Sequence, residues 1–525
     1  MSKYNFIIPF LFIFSIQYIA AQKINNNYTI VLQEYQQANT LFNKAIQLSF
    51  HKNYEERNEI NLNKLALRKF IKVEEILDKD YPTDSLLFFT DLKIGELEHY
   101  FDSLNLALQF YQKAIKDIHS LPDSFLFKPL LYSGNIYFQQ NQLDSASFSF
   151  KNAEKIQDKY TIKLQENERL YNDLGVLFYQ SGNYMQAKNY FRKASEVLPH
   201  NHPYFENLLV NYKINFATCL FKLEDYDSAG KVLSKLLPHK QHLNEIYNNI
   251  GLIQFYSDNP SGAITSFKKV HYSNKLVIGL NNDIANAWIS LKKYDSAAFY
   301  INKALNDNKI YNGSEENPDH GLTLKIEADL QSKLSNFDAS LHLYQLALHQ
   351  FYPYFNDSSI TANPIKFTGA FNYIYLFRTI AAKAEALHAL YNQSRQIRWL
   401  NHELNTYEAT FSLLDYIERN YDNDEARLFL ERSKYSINEK PIDAAFNLYN
   451  ITKDKSYLEK AYVLDQKSKA SVLVFNELRN SFGNSPSALR TKERKLKEQI
   501  TRLSIQIQQN PNGQKNLNKN KEIGD

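Results

Sequence analysis

The sequence holds a single cysteine, Cys219, among 525 residues, so no disulfide can form within one chain and stability must come from packing. It has 14 glycines and 14 prolines, too few for a collagenous or a Pro/Gly-rich disordered chain. Neither sign of charge dominates: 61 Lys and Arg stand against 57 Asp and Glu, which gives no global field to draw nucleic acid. Beyond the N-terminus no apolar run approaches the roughly 20 residues that a membrane-crossing helix needs. The best, FNYIYLF at 371–377, is seven residues long. There is no Gly-rich phosphate loop, no G-x-S-x-G and no H-E-x-x-H. Paired carboxylates occur only in solvated charge runs such as VEEIL, so the sequence offers no catalytic site. The apolar fraction of 44% is that of a globular chain able to bury a large core.

The N-terminus reads MSKYNFIIPFLFIFSIQYIAAQ: a basic Lys3, an apolar run from Phe6 to Phe14, then Ala20 and Ala21. That is the layout of a secretory signal peptide cleaved near Ala21, which predicts export to a periplasmic or extracellular space. No cysteine follows the signal, which argues against lipid attachment there.

Self-comparison carries the architecture. YDSA occurs at 226–229 and again at 294–297, a separation of twice 34 residues. In YNDLGVLFYQSGNYMQAKNYFRKASEVLP, residues 171–199, Tyr171, Leu174, Gly175 and Phe178 fall at one helical spacing. Ala187, Phe191 and Ala194 fall at another, closed by Pro199. Small residues stand where two helices of a hairpin approach, and large ones where the next hairpin must be filled. The same order recurs from Gly95, Ala107, Tyr111 and Ala114 through to Ala328, Ser340, Tyr344 and Ala347, giving seven clear copies between residues 88 and 350. A degenerate start carries Ala38, Phe42 and Ala45, then Ala66, Phe70 and Val73. Asn183, Asp225, Asn259 and Asn336 stand where second helices need N-caps, with Pro260 at a first helical position.

This pattern resembles the tetratricopeptide repeat. The resemblance implies an all-α chain, a right-handed superhelical α-solenoid of helix hairpins whose concave face is lined by the first helix of each repeat. In that register Asn172, Tyr179, Asn248, Phe255 and Asn282 point inward, a row of amides and aromatics suited to an extended peptide. Ile214 and asparagines stand where some members carry a lysine clamp for C-terminal carboxylates.

No cofactor or metal is implied. His200 and His202, and likewise His239 and His242, lie in turns between repeats without the further ligands that a zinc site needs. Cys219, one turn from Ala217 and Phe221, reads as a small buried apolar residue.

From Ile365 the pattern changes to longer helices, expected at about 366–392, 395–420, 424–437, 442–451 and 456–480. Residues 479–525 carry ten basic and four acidic side chains. They open with an amphipathic helix bearing Leu489, Leu496, Ile500, Leu503 and Ile507 and end in a polar tail. Glu425 and Arg427, AFNLYNITKDKSYLEKAY and DQKSKASVLVFNELR, within 413–479, resemble the segment that precedes the peptidase-like domain of bacterial CHAT-domain proteins. The His-Gly pair and Ala-Cys motif of that domain have no match here, so no catalytic residue carries over.

The expected organisation is a signal peptide at 1–21, repeats over 22–363, a helical extension over 364–481 and a basic helix with its tail over 482–525. The expected function is that of an exported, non-catalytic scaffold for protein or peptide ligands. It would be the recognition arm of a CHAT-type protein, with a CHAT domain as partner in cis or in trans and without a membrane span after signal cleavage. The alternatives are the extracytoplasmic sensor module of a signalling receptor and a repeat-based carbohydrate-capture protein.

Overall fold

The computed structural model describes residues 26–49, 56–119, 121–140, 142–240, 242–313, 317–352, 354–367, 372–421, 423–437 and 439–467, with scattered positions between 489 and 500. The expected signal peptide, most of the expected basic helix and tail, and the C-terminal part of the helix expected at 456–480 lie outside them. The described residues form helices and turns without a strand, an all-α solenoid of helix hairpins. None of these helices is long and apolar enough to cross a membrane.

The chain divides into two compact units, residues 1–174 and 175–525. The first contains α1 (Asn26–Ser49), α2 (Glu56–Asp80), α3 (Ser85–Tyr100), α4 (Leu104–Lys116), α5 (Phe127–Gln139), α6 (Leu143–Lys159) and the beginning of α7 (Asn167–Gln180). The second holds the remainder of α7 with α8 (Tyr184–Val197), α9 (Phe205–Lys222), α10 (Tyr226–Leu236), α11 (Leu243–Tyr256), α12 (Pro260–Phe267), α13 (Leu276–Ser290) and α14 (Tyr294–Asn312). It continues with α15 (Pro318–Lys333), α16 (Phe337–Phe351), α17 (Tyr373–Ser394), α18 (Ile397–Asn420), α19 (Asp424–Ile437) and α20 (Glu439–Thr452).

In the hairpins α3–α4, α5–α6, α7–α8 and α11–α12 one tight contact recurs. The large residue of the second helix lies over the small residue of the first: a Cβ added to Gly95 would sit 2.5 Å from the Tyr111 ring, and one added to Gly251 would sit 2.5 Å from Phe267. The rings thus fill the space of a missing side chain within their own hairpin, whereas the spacing alone suggested that they fill the next one. At Ala217 and Ala285 the partner is the slimmer Leu233 or Ile301, whereas Ala328 keeps a ring, Tyr344, and all six are buried. In the hairpin α15–α16 a serine replaces the second small residue, and its hydroxyl donates to the Ala328 carbonyl at 2.8 Å.

The hairpins also turn alike. Asp102, Glu224, Asp258, Lys292 and Ser335 adopt φ between 57° and 66°, and Gly182 adopts 72°. The next backbone N–H reaches back five residues, as in Ser103 to Glu98, Asn183 to Phe178 and Lys293 to Trp288, at 2.9–3.0 Å. This closes the first helix with a Schellman motif. The expected caps divide. Asp225 accepts from the Ser228 N–H at 3.2 Å and Asn259 from the Gly262 N–H at 2.9 Å. Asn183 and Asn336 hold the cap position without a side-chain cap bond.

After α16 the chain runs through a non-helical strap, 354–367, and α17 begins at Tyr373 rather than near 366. α17, α18 and α20 share one core, with Leu376, Ile380, Leu400, Leu404, Leu413, Leu414, Ala445 and Leu448 at 0–1% exposure. Ala461 and Leu464, on the helical stretch 456–467, close that core, while Tyr462 and Val463 stay exposed. Lys383 is wholly buried and donates to Gln345 Oε1 at 2.7 Å, to the Ala362 carbonyl and to Asn363 Oδ1 at 3.2 Å, so one amine pins the strap to α16 and α17. Burial pushes that amine down to about 7. The two tryptophans mark two layers of this unit: Trp288 on α13 lies 5.6 Å beneath Lys268, and Trp399 on α18 packs beside Leu387 and Leu390.

Candidate binding face

In the first unit a charged cluster surrounds the start of α7. The Tyr132 hydroxyl donates to Glu166 at 2.7 Å, and the same carboxylate pairs with Lys128 at 3.3 Å and Arg169 at 3.4 Å. Burial pushes Glu166 up, but the two cations outweigh it and hold the carboxyl below its ordinary value. Arg169 also lies 3.8 Å from Asp173 and 5.4 Å from the Tyr132 ring. Burial raises Asp173 to about 6 against the pull of Arg169. Asn172 donates to Asp173 at 3.2 Å and so belongs to this cluster. His99 is pushed down to about 4, first by burial and then by the Arg169 charge.

The other four inward-register residues lie in the second unit. Tyr179 is half-buried, its ring 5.1 Å from that of Tyr184. Asn248 is half-buried. Phe255 packs against the α12–α13 core of Ala263, Phe267 and Ile284. Its neighbour Tyr256 is the more open aromatic, stacked near Tyr226 at 6.1 Å. Asn282 is 1% exposed, and its Oδ1 has no hydrogen-bond partner among the described residues.

The extension supplies a second wall that periodicity did not reveal. The Tyr375 hydroxyl of α17 lies in the field of Asp283, Lys222, Tyr256 and Arg378, and burial raises it to about 12. Asp283, beside Asn282 on α13, makes no hydrogen bond or ion pair among the described residues, and burial alone pushes its carboxyl up to about 7. Arg378 is exposed. This face therefore offers the half-buried Asp283 carboxyl on α13, cations on α9 and α17, and rings at Tyr256 and Tyr375, while the neighbouring Asn282 amide is buried. Such a set suits hydrogen bonding and ion pairing with a ligand that has both donors and acceptors.

The remaining polar candidates are already occupied. His239 pairs with Glu206 at 2.7 Å, His242 contacts Asn207 at 3.0 Å, and His202 accepts from the Tyr204 N–H at 3.1 Å. Among the described residues no group of three or more His, Cys, Asp or Glu side chains could hold a metal ion. Cys219 is wholly buried against Ala187 and Phe191, and burial pushes its thiol up to about 12. That is the environment of an inert packing cysteine.

Residues 168–201 match the tetratricopeptide repeat family. Among solved structures, the apo form of the quorum sensor NprR from B. thuringiensis is 12% identical. The match covers 72% of this chain and 99% of that one, with a TM-score of 0.50. A tetratricopeptide repeat protein from Parabacteroides merdae is 16% identical over 52% of this chain and 93% of its own, with a TM-score of 0.34. The Rap conjugation gene regulator of the plasmid pLS20, in complex with the Phr* peptide, is 13% identical over 80% and 97%, with a TM-score of 0.37. No curated protein matches the chain. At these identities the likeness to NprR is one of fold.

Proposed function

We propose that this tetratricopeptide-repeat protein is a peptide- or protein-binding scaffold, and that the ligand lies between the inner face of α9, α11 and α13 and the facing helix α17. The observation that carries this reading is the pair Asn282 and Asp283. A buried amide oxygen without a donor and a desolvated carboxylate without a cation are costly to leave so. A backbone N–H or the cationic end of a bound peptide would satisfy the half-buried Asp283, and would satisfy Asn282 once its buried amide turns outward on binding. Asn248, Phe255 and Tyr256 would extend the contact along α11 and Tyr179 along α7, and Asn172 would serve a contact in the first unit. The tetratricopeptide architecture, whose hairpins serve as docking surfaces, supports a role in recognition rather than chemistry.

The N-terminal signal pattern supports export to a periplasmic or extracellular space. The likeness of residues 413–479 to the pre-peptidase segment of CHAT-domain proteins supports a place as a recognition arm that works with such a domain.

The test is selection of a displayed peptide library on the full chain, followed by titration calorimetry of the enriched peptides. Peptides should bind the parent, and Asp283→Asn should weaken them about tenfold or more by removing the charge. An absence of any selected peptide, or peptides indifferent to both Asp283→Asn and Asn282→Ala, would overturn the reading.

A further inference from the structure

The N-terminal end of α19 touches the turn between α7 and α8, although 239 residues separate them along the chain. The Met185 N–H in the first turn of α8 donates to the Asp424 carboxylate at 3.0 Å. In return the Glu425 N–H, in the first turn of α19, donates to the Gly182 carbonyl at 3.2 Å. Two helix ends thus satisfy each other's open groups. Asn183, which holds the cap position of α8, makes no side-chain cap bond, and Asp424 performs that office from outside the hairpin. Alongside, Lys222 lies 3.7 Å from Glu425, and Arg432 pairs with Glu224.

Glycine at 182 serves this contact as well as its left-handed backbone. At the equivalent turn the other hairpins carry Asp102, Glu224, Asp258, Lys292 and Ser335 in the same left-handed conformation. A side chain is therefore tolerated there. At Gly182 a Cβ would come within 2.9 Å of the Asn423 side chain. The missing side chain makes room for Asn423, just ahead of α19.

The two sides of α19 differ in kind. Ala426, Phe429 and Ile437 are buried in the α17–α18 core, with Phe429 edge-on to Tyr373 at 5.6 Å and to Phe377 at 5.2 Å. Its links to α8 and α9 are polar and partly exposed, and such pairs each contribute modestly. Parting them would uncover one buried ring, that of Tyr184 on α8, which faces Glu425.

We propose that Asn423, Asp424 and Glu425 form a releasable clasp, which holds the extension against the α7–α8 turn and governs entry to the face between α9–α13 and α17. The control of entry rests on the ligand site argued above; the clasp itself does not.

Hydrogen–deuterium exchange on the full chain tests it without any ligand. Gly182→Lys places in this turn a residue that Lys292 already carries in the same conformation, and Asp424→Asn removes the charge from the α8 end. In both variants the amides at the starts of α8 and α19 should exchange at least about tenfold faster, while those of α13 and α18 stay unchanged. Unchanged exchange at both helix starts would overturn the clasp, and so would an equal rise throughout α17 and α18. As a second measure, Glu224→Arg should open the contact and Glu224→Arg with Arg432→Glu should close it again; failure of the pair to restore protection counts against the clasp. Peptides from the selection above should bind the opened variants faster. Raised exchange with unaltered peptide association would leave a clasp that does not govern entry. A failed selection would remove the ligand site while the exchange data still decide the clasp.

Discussion

The ring of Phe191 occupies the space in which a side chain of Gly175 would begin, with two ring carbons 2.7 Å from where the Cβ would stand. Phe191 is 2% exposed and cannot retreat into solvent. Gly175→Ala should therefore lower stability by about 1–3 kcal/mol, the range for overpacking a filled core, despite alanine's better helix propensity. Gly279, in the interior of α13, has no atom within 4 Å of an added Cβ. Gly279→Ala should raise stability by up to about 1 kcal/mol. Urea midpoints of the two variants, moving in opposite directions, are the measurement, and a shared direction would refute the packing account.

The left-handed turns make a second prediction. Lys292 is exposed, holds φ 57° and uses only its backbone N–H to close α13. Lys292→Gly removes the Cβ strain of that conformation and adds chain entropy to the unfolded state. The net effect should be a gain of about 0.5–1 kcal/mol, seen as a higher thermal midpoint. Lys292→Val should shift it downward.

A third concerns acidity in the first unit. Asp91 on α3 is wholly buried, and burial pushes its carboxyl up to about 8. Lys113 on α4 lowers it in part, while Glu74 on α2 and Asp117 after α4 act in the raising direction. The folded state thus holds a proton on Asp91 that an unfolded chain releases near its ordinary value of about 4. This contribution to stability is complete at the acid end and is lost as pH rises from about 4 to about 8. Asp91→Asn should flatten that slope. Urea unfolding of parent and variant at pH 5 and pH 8 decides it: parallel losses in the two proteins would show that another group carries the dependence.

Much of the hairpin packing was legible because it is written at short range. Ala187, Phe191 and Ala194 lie on one face by helical spacing, and all three are buried. The turns were less legible, because five of the six left-handed residues are not glycine and so give no local signal. Phe255 and Tyr256 differ by one position, and the register alone cannot tell which ring joins the α12–α13 core. Asp283 had no signal beyond being one more polar residue near asparagines. The Tyr375 hydroxyl that feels its charge lies nearly a hundred positions later, and the contact between Asp424 and Met185 is longer still. Pairings at that range leave no period in a sequence.

The placement of Trp288 and Trp399 gives the second unit two built-in optical reporters, one among the hairpins and one in the extension, with no third tryptophan to blur them. Replacing either by phenylalanine leaves a single tryptophan, read by exciting at the red edge where tyrosine does not absorb. The two resulting melting curves then tell whether hairpins and extension lose their structure in one step or in succession.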